Sequence, residues 1–359
     1  MKLKNKISYY SYLIFGSLFI QSCFTSCEDV PENSGNGNQE AQKITEFYTN
    51  PVIDQNFPDP TVIKAGDGFY YVYSTNSEVD GEVMNIQVKR SKDLIHWETL
   101  ADALPEGPDW ADRDFWAPHV IYDENTKKYY LYYSGESIDE EIGKCLGVAI
   151  SDSPEGPFKD IGKPLLCGKS FINIDPMPFD DPATGKKYLY WGSGHESIKV
   201  RELTHNRLGF KEGSEVISLI EPVHSDDPNN YENLVEGAWV IKKGEYYYLF
   251  YSGDNCCGEK AHYAVMVARS KNATGPFVKF ESESGSNVIL SKNEQWIAPG
   301  HNSIIKDDSG NYWMFYHAID ANQRGKGRVM LMDKIKFING WPVINGGSPS
   351  INKKNAPNI

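Results

Sequence analysis

Three acidic residues each stand at the head of a short apolar segment, beside proline or glycine: Asp59 in Pro58-Asp59-Pro60, Asp175 in Ile174-Asp175-Pro176 and Glu236 in Val235-Glu236-Gly237. A strand start flanked in this way exposes its side chain. Where three carboxylates share one pocket, like charges resist joint ionisation and their pKa values separate. One group stays ionised as a base while another keeps a proton as an acid, the pairing that cleavage of a glycosidic bond uses. Two histidines hold comparable places, His119 in Trp116-Ala117-Pro118-His119 and His301 in Pro299-Gly300-His301-Asn302.

These five residues lie 60, 56, 61 and 65 positions apart, so the fold must bring them together. Each opens a copy of one pattern: an apolar strand, a polar turn, then an aromatic strand ending near serine or glycine. The aromatic strands are Phe69-Tyr70-Tyr71-Val72-Tyr73, Tyr129-Tyr130-Leu131-Tyr132-Tyr133, Tyr188-Leu189-Tyr190-Trp191, Tyr246-Tyr247-Tyr248-Leu249-Phe250-Tyr251 and Tyr312-Trp313-Met314-Phe315-Tyr316. A period near 60 residues suits a four-stranded blade with its loops, and no segment carries a long 3.6-residue apolar period. The expected fold is all-β, a five-bladed β-propeller over 44–359. The inner strands then start at one end of the axis, and the five leading residues converge there. Phe115, Trp116 and Trp296 precede inner strands and are candidate walls for stacking on a sugar ring.

The chain has 359 residues, 40% hydrophobic and 13% aromatic, with 22 Tyr and 8 Trp. With 36 Lys and Arg against 49 Asp and Glu, the net charge is −13, which argues against nucleic-acid binding. A mean hydropathy of −0.50 excludes a polytopic membrane protein. Residues 1–27 read as a secretory signal with lipoprotein character: a basic start, an apolar run from Tyr12 to Ile20, then Cys23 and Cys27 as candidate lipidation sites. Residues 28–43 read as a flexible tether. The expected location is therefore the bacterial outer membrane, with the membrane contacted only through that lipid anchor. In an oxidising compartment Cys145, Cys167, Cys256 and Cys257 can pair. Adjacent Cys256-Cys257 would form a vicinal disulfide or remain two free thiols, and no cysteine or histidine cluster has zinc-ligand spacing.

In order along the chain, Asn50-Pro51-Val52-Ile53, Pro58-Asp59-Pro60, Trp116-Ala117-Pro118, Ile174-Asp175-Pro176, Val235-Glu236-Gly237, Pro299-Gly300-His301-Asn302-Ser303 and Gly340-Trp341-Pro342 resemble glycoside hydrolase family 43. That family comprises five-bladed propellers acting on arabinan and xylan, and the resemblance spans about 48–345. It implies that Asp59 is the general base, that Glu236 is the general acid, and that Asp175 orients Glu236 and raises its pKa. It implies inversion, with acid and base about 6.5–9.5 Å apart to admit a water. The family usually follows the glutamate with Gly-Pro; here Gly237-Ala238 follows. His301 matches a histidine facing the axial channel, where Ca2+ or another cation sits. Arg328 falls where relatives direct an arginine at bound sugar. His119 contacts substrate or lines the pocket, and Asn302 hydrogen-bonds substrate or a metal-bound water. No organic cofactor is expected, and a monomer is the default. The expected activity is that of an exo-acting α-L-arabinofuranosidase on plant polysaccharide or oligosaccharide, with loops 76–86 and 221–233 walling the pocket. β-Xylosidase, β-galactofuranosidase and endo-arabinanase activities are alternatives within the same chemistry. Outside it stand a non-catalytic surface glycan-binding lipoprotein and a retaining, invertase-like furanosidase.

Overall fold

The computed structural model describes residues 47–79 and 81–359. The expected signal at 1–27 and tether at 28–43 lie outside the described residues. Five antiparallel sheets follow one another along the chain, and in each the strands pair in sequence order from the axis outward. The inner strands are Thr61–Lys64, Ala111–Asp123, Met177–Asp180, Val235–Lys243 and Trp296–Lys306. The second strands are Tyr70–Ser74, Lys128–Ser137, Lys187–Trp191, Tyr246–Asn255 and Tyr312–Asp320. This is the expected five-bladed β-propeller.

The tyrosine-rich second strands explain why the blades stack. Tyr70–Ser74 and Lys187–Trp191 are buried at every position, as expected of strands covered on both faces. Successive side chains point to opposite faces. Tyr71 and Tyr73 therefore join Leu131, Tyr133 and Phe158 of blade two. Tyr70 and Val72 join Trp313, Phe315 and Met332 of blade five. Tyr130 and Tyr132 of blade two meet Leu189 and Trp191 of blade three in the same way. The apolar core thus consists of slabs between neighbouring blades. Tyrosine hydroxyls cross these slabs: Tyr132 donates to the Arg207 carbonyl at 2.8 Å, Tyr190 to the Ala273 carbonyl at 2.6 Å, and Tyr73 to the Pro154 carbonyl.

The first described segment closes the ring onto the last blade. Phe47–Tyr48 pairs antiparallel with Lys354–Asn355, and Ile53 bridges Met330 in the third strand of blade five. The Asn50 amide donates to the Met332 carbonyl at 3.1 Å and accepts from the Met332 N–H at 2.9 Å. At the seam between blades five and one, the Val62 N–H donates to Ser303 Oγ at 3.2 Å.

Candidate active site

One backbone device repeats once in every blade, just before the inner strand or within it. Asp59, Ala117, Asp175, Gly237 and His301 all have positive φ, at 56°, 47°, 59°, 62° and 47°. Left-handed backbone costs a residue with a Cβ about 1–2 kcal/mol, and it persists only where the surroundings over-determine it. The preceding blade supplies that constraint through side chains on or just past its second strand. The Asp59 N–H donates to His317 Nδ1 at 3.2 Å, Ala117 to Thr75 Oγ1 at 2.9 Å, Asp175 to Ser134 Oγ at 3.1 Å, and His301 to Ser252 Oγ at 2.8 Å. The Gly237 N–H donates instead to Asp175 Oδ2 at 2.8 Å. In blade two the equivalent position is therefore Ala117, not His119. In blade four it is Gly237, and the acidic side chain comes from the residue before it.

Gly237 cannot carry a side chain freely, because a Cβ there would stand 3.3 Å from His301 Nδ1. Gly237→Ala is expected to lose about 1–2 kcal/mol of stability in urea denaturation. Its turnover should fall further than stability alone explains, since Glu236 and His301 must both shift. Unchanged kcat would contradict this coupling.

The carboxylates meet in one cavity of about 440 Å³, with His301 and Arg328 beside them. Asp59 Oδ1 lies 2.8 Å from Arg328 Nη1, 3.2 Å from His317 Nδ1 and 3.5 Å from His301 Nδ1. Thr75 Oγ1 donates to Asp59 Oδ2 at 2.5 Å. Burial alone would raise the Asp59 pKa. The Arg328 guanidinium, then His301 and His317, override it and hold Asp59 well below the usual carboxylate range.

Glu236 is pushed the other way. Burial raises its pKa and the nearby Asp59 charge adds to the rise. Donation from the Tyr263 hydroxyl to Oε1 at 2.7 Å and from Ser193 Oγ to Oε2 at 2.8 Å restrains it. Asp175 is raised well above the ordinary range by burial, then by the charges of Glu236 and Asp59. Its Oδ2 lies 3.7 Å from His301 Nδ1. Asp175 and Glu236 therefore titrate as a linked pair, facing an ionised Asp59 backed by a guanidinium.

Tyr263→Phe removes a donor that favours the ionised form of Glu236. A hydrogen bond to a charged group contributes about 1.5–3 kcal/mol, so the alkaline limb of the kcat–pH profile should move up by about one to two units. A downward move would contradict the assigned contact.

Trp116, Phe171, Ile174, His195, Leu234 and Asp254 also line it, with the segment Asn255-Cys256-Cys257. The half-buried indole of Trp116 is held from one side, with Lys144 Nζ 3.9 Å from its ring centroid. That buried lysine pairs with Asp114 at 2.7 Å and with Glu136, so the ring has little freedom to tilt.

Of the residues singled out in the sequence, Asp59, Asp175, Glu236, Trp116, His301 and Arg328 line this cavity. The other four do not. Phe115 is buried in the slab between blades one and two, edge-on to Tyr133. Trp296 is fully buried and its indole N–H donates to the Ser350 carbonyl. His119 stacks on Trp239 at 4.6 Å, and burial, then the nearby His301, lowers its pKa to about 3. Asn302 is buried, and among the described residues its amide has no hydrogen-bond partner. None of the four is a subsite wall. Of the four cysteines left open in the sequence, Cys145 pairs with Cys167, while Cys256 and Cys257 are free thiols, the second of the two readings of that pair. Sequence reading missed Thr75, Ser193, Tyr263 and His317, the donors and neighbours that fix the carboxylates. For Thr75 and Ser193, placement near the serine or glycine closing each aromatic strand was the available signal. Tyr263 offered none.

The sequence model for Glycosyl hydrolases family 43 matches residues 48–342. The extracellular endo-α-(1→5)-L-arabinanase 1 of Bacillus subtilis (strain 168) is 30% identical over 300 residues, covering 79% of this chain and 86% of the relative. The extracellular exo-α-(1→5)-L-arabinofuranosidase of Cellvibrio japonicus (strain Ueda107) is 26% identical over 318 residues, covering 80% and 86%. The crystal structure of a thermostable family-43 glycoside hydrolase, 29% identical, superposes with a TM-score of 0.72 over 87% of this chain and 99% of that one.

Proposed function

This chain belongs to glycosyl hydrolases family 43, and from that premise we propose that the glycosidase is inverting and exo-acting, an α-L-arabinofuranosidase of arabinan and arabinoxylan. One observation carries the mechanism: within one cavity Asp59 is held ionised while Glu236 is pushed towards its protonated form. Asp59 takes a proton from water as that water attacks the anomeric carbon. Glu236 gives its proton to the departing glycosidic oxygen. Arg328 stays bonded to Asp59 and keeps it ionised, ready to accept that proton. Asp175 accepts the Gly237 N–H and fixes the peptide that carries Glu236. Exchange with solvent returns the proton to Glu236 and removes one from Asp59.

Exo action is supported by the way all five blades contribute walls to the cavity, which suits capture of a chain end. Arabinan as substrate is supported by the two named relatives. One of them is an endo-arabinanase, so endo cleavage is the second reading. Chromatography of early products from linear arabino-oligosaccharides separates the two. Free arabinose alone is expected at low conversion, whereas di- and trisaccharides at the earliest times would overturn exo action. Parallel assays on aryl β-D-xyloside and β-D-galactofuranoside test the sugar.

Two further expectations belong to the same proposal. Export is supported by the Cys145–Cys167 disulfide, since such bonds persist in oxidising compartments. For an axial calcium the described residues gather no group of three or more His, Cys, Asp or Glu. The donor set fits only an ion that keeps most of its water: His301 would hold it, and the unpartnered Asn302 amide would bond a water of its shell. Such an ion would supply positive charge close to the carboxylates. Chelation followed by calcium titration, read as melting temperature, tests it.

A further inference from the structure

Two thiols face the sugar cavity, and hydrolysis uses neither. Cys256 and Cys257 open the turn 256–261 that joins the second and third strands of blade four. Both line the cavity that holds Asp59, Glu236 and Arg328. Cys256 is half-buried against the group formed by Tyr263, Ala298 and Ile319, while Cys257 is exposed. The turn is braced by the Asn255 side-chain amide, which donates to the Lys260 carbonyl at 3.0 Å, and by the left-handed Gly258, at φ 75°.

The two adjacent thiols split their acidity. Interaction with the Cys256 thiol, helped by the Arg328 charge and opposed by burial, lowers the Cys257 thiol to about 7. The same interaction, with burial, pushes the Cys256 thiol up. An accessible thiolate beside a protonated thiol is the arrangement that thiol–disulfide exchange needs.

We propose that Cys256-Cys257 is a thiol-exchange site on the wall of the glycosidase pocket, one that takes low-molecular-weight disulfides of the glutathione class and shuts sugar out when modified. In the first step Cys257 Sγ⁻ attacks one sulfur of R–S–S–R. A Cys257–S–S–R bond forms, the S–S bond of the reagent breaks, and RS⁻ leaves. In the second, Cys256 loses its proton to solvent and attacks Cys257 Sγ, expelling a second RS⁻ and leaving a Cys256–Cys257 disulfide. The two protein thiols are oxidised by two electrons, and one disulfide reagent is reduced to two thiols. A tripeptide adduct on this wall would compete with a glycosyl group for the cavity of about 440 Å³ that holds Asp59 and Glu236. Among the described residues exchange is confined to this pair, because Cys145 is buried and bonded to Cys167.

The test incubates the full chain with oxidised glutathione at neutral pH. Peptide mass spectrometry follows each cysteine, and turnover of an aryl α-L-arabinofuranoside is followed in parallel. The wild type is expected to lose most of its turnover as a glutathionyl group appears on Cys257 and then gives way to the vicinal disulfide. A mild thiol reductant should restore the turnover. Cys256→Ser should stop at the mixed disulfide, and Cys257→Ser should keep its own starting turnover throughout. The proposal falls if neither cysteine is modified, if full modification leaves turnover intact, or if Cys257→Ser is inactivated as fast as the wild type. It rests on the arabinofuranosidase reading only for its substrate. Untreated enzyme inactive on that substrate would sink that reading, while the cysteine map would still decide this one.

Discussion

Replacing Glu236 with glutamine is expected to lower kcat/KM on arabino-oligosaccharides by about 10²–10⁴-fold, the range contributed by a positioned proton donor. Glutamine keeps the shape: its amide oxygen accepts from one of Tyr263 and Ser193, which hold the carboxylate at 2.7 and 2.8 Å, and its NH2 donates to the hydroxyl oxygen of the other. It has no acidic proton for the departing oxygen. The loss should therefore depend on the leaving group. A sugar alkoxide needs the proton, whereas dinitrophenolate does not, so a dinitrophenyl α-L-arabinofuranoside should retain most of its rate. The alkaline limb of the pH profile, which reports ionisation of the acid, should vanish with the residue. Equal losses on both substrates would show that Glu236 is not the proton donor.

The second large effect is expected at Asp59. Asp59→Asn removes the ionised base, and both substrates should lose activity together, again by about 10²–10⁴-fold, because activation of water does not depend on the leaving group. The variant also leaves the Arg328 guanidinium, only 18% exposed, without its carboxylate. Breaking a buried pair from one side costs about 3–5 kcal/mol, so melting temperature must be read beside kcat. An accompanying Arg328→Met substitution should recover stability without recovering turnover. Recovery of turnover would make Asp59 a structural partner of Arg328 instead of the base. The wild-type pH profile should be broad. Its acidic limb should fall well below the ordinary aspartate range, because Asp59 stays ionised there. Its basic limb should lie above the ordinary glutamate range, because Glu236 keeps its proton longer.

The blade repeat and the convergence of Asp59, Asp175 and Glu236 were legible because both depend on periodicity. Unbroken aromatic runs mark strands buried on both faces, and a residue heading each inner strand must face the axis. What the sequence did not carry was side-chain direction near those heads. Ladder registers shift between Trp116 and His119, between Glu236 and Trp239, and between Gly300 and Ser303. Each shift breaks the two-residue alternation on which facing is judged. Phe115, His119, Trp296 and Asn302 were singled out by their place at or beside these heads, and all four are buried instead. Tyr263 and His317 were illegible for a different reason. Each sits inside an apolar run that reads as ordinary core; the Tyr263 hydroxyl reaches Glu236 across blade four, from its third strand to its first, and the packing of blade five on blade one brings the His317 ring to Asp59. The left-handed residue in each blade was half visible. Asp59 and Asp175 precede proline, but nothing in the chain alone ties them to Ala117, Gly237 and His301.

The division of labour between an ionised Asp59 and a protonated Glu236 requires water to attack the face opposite the departing oxygen. Proton NMR of an α-linked arabino-oligosaccharide during hydrolysis reads this directly. The account predicts β-L-arabinofuranose as the first product signal, with the α-anomer following only by mutarotation. The α-anomer appearing first would mean a covalent glycosyl intermediate, with one of these carboxylates acting as nucleophile, and would contradict the assignment.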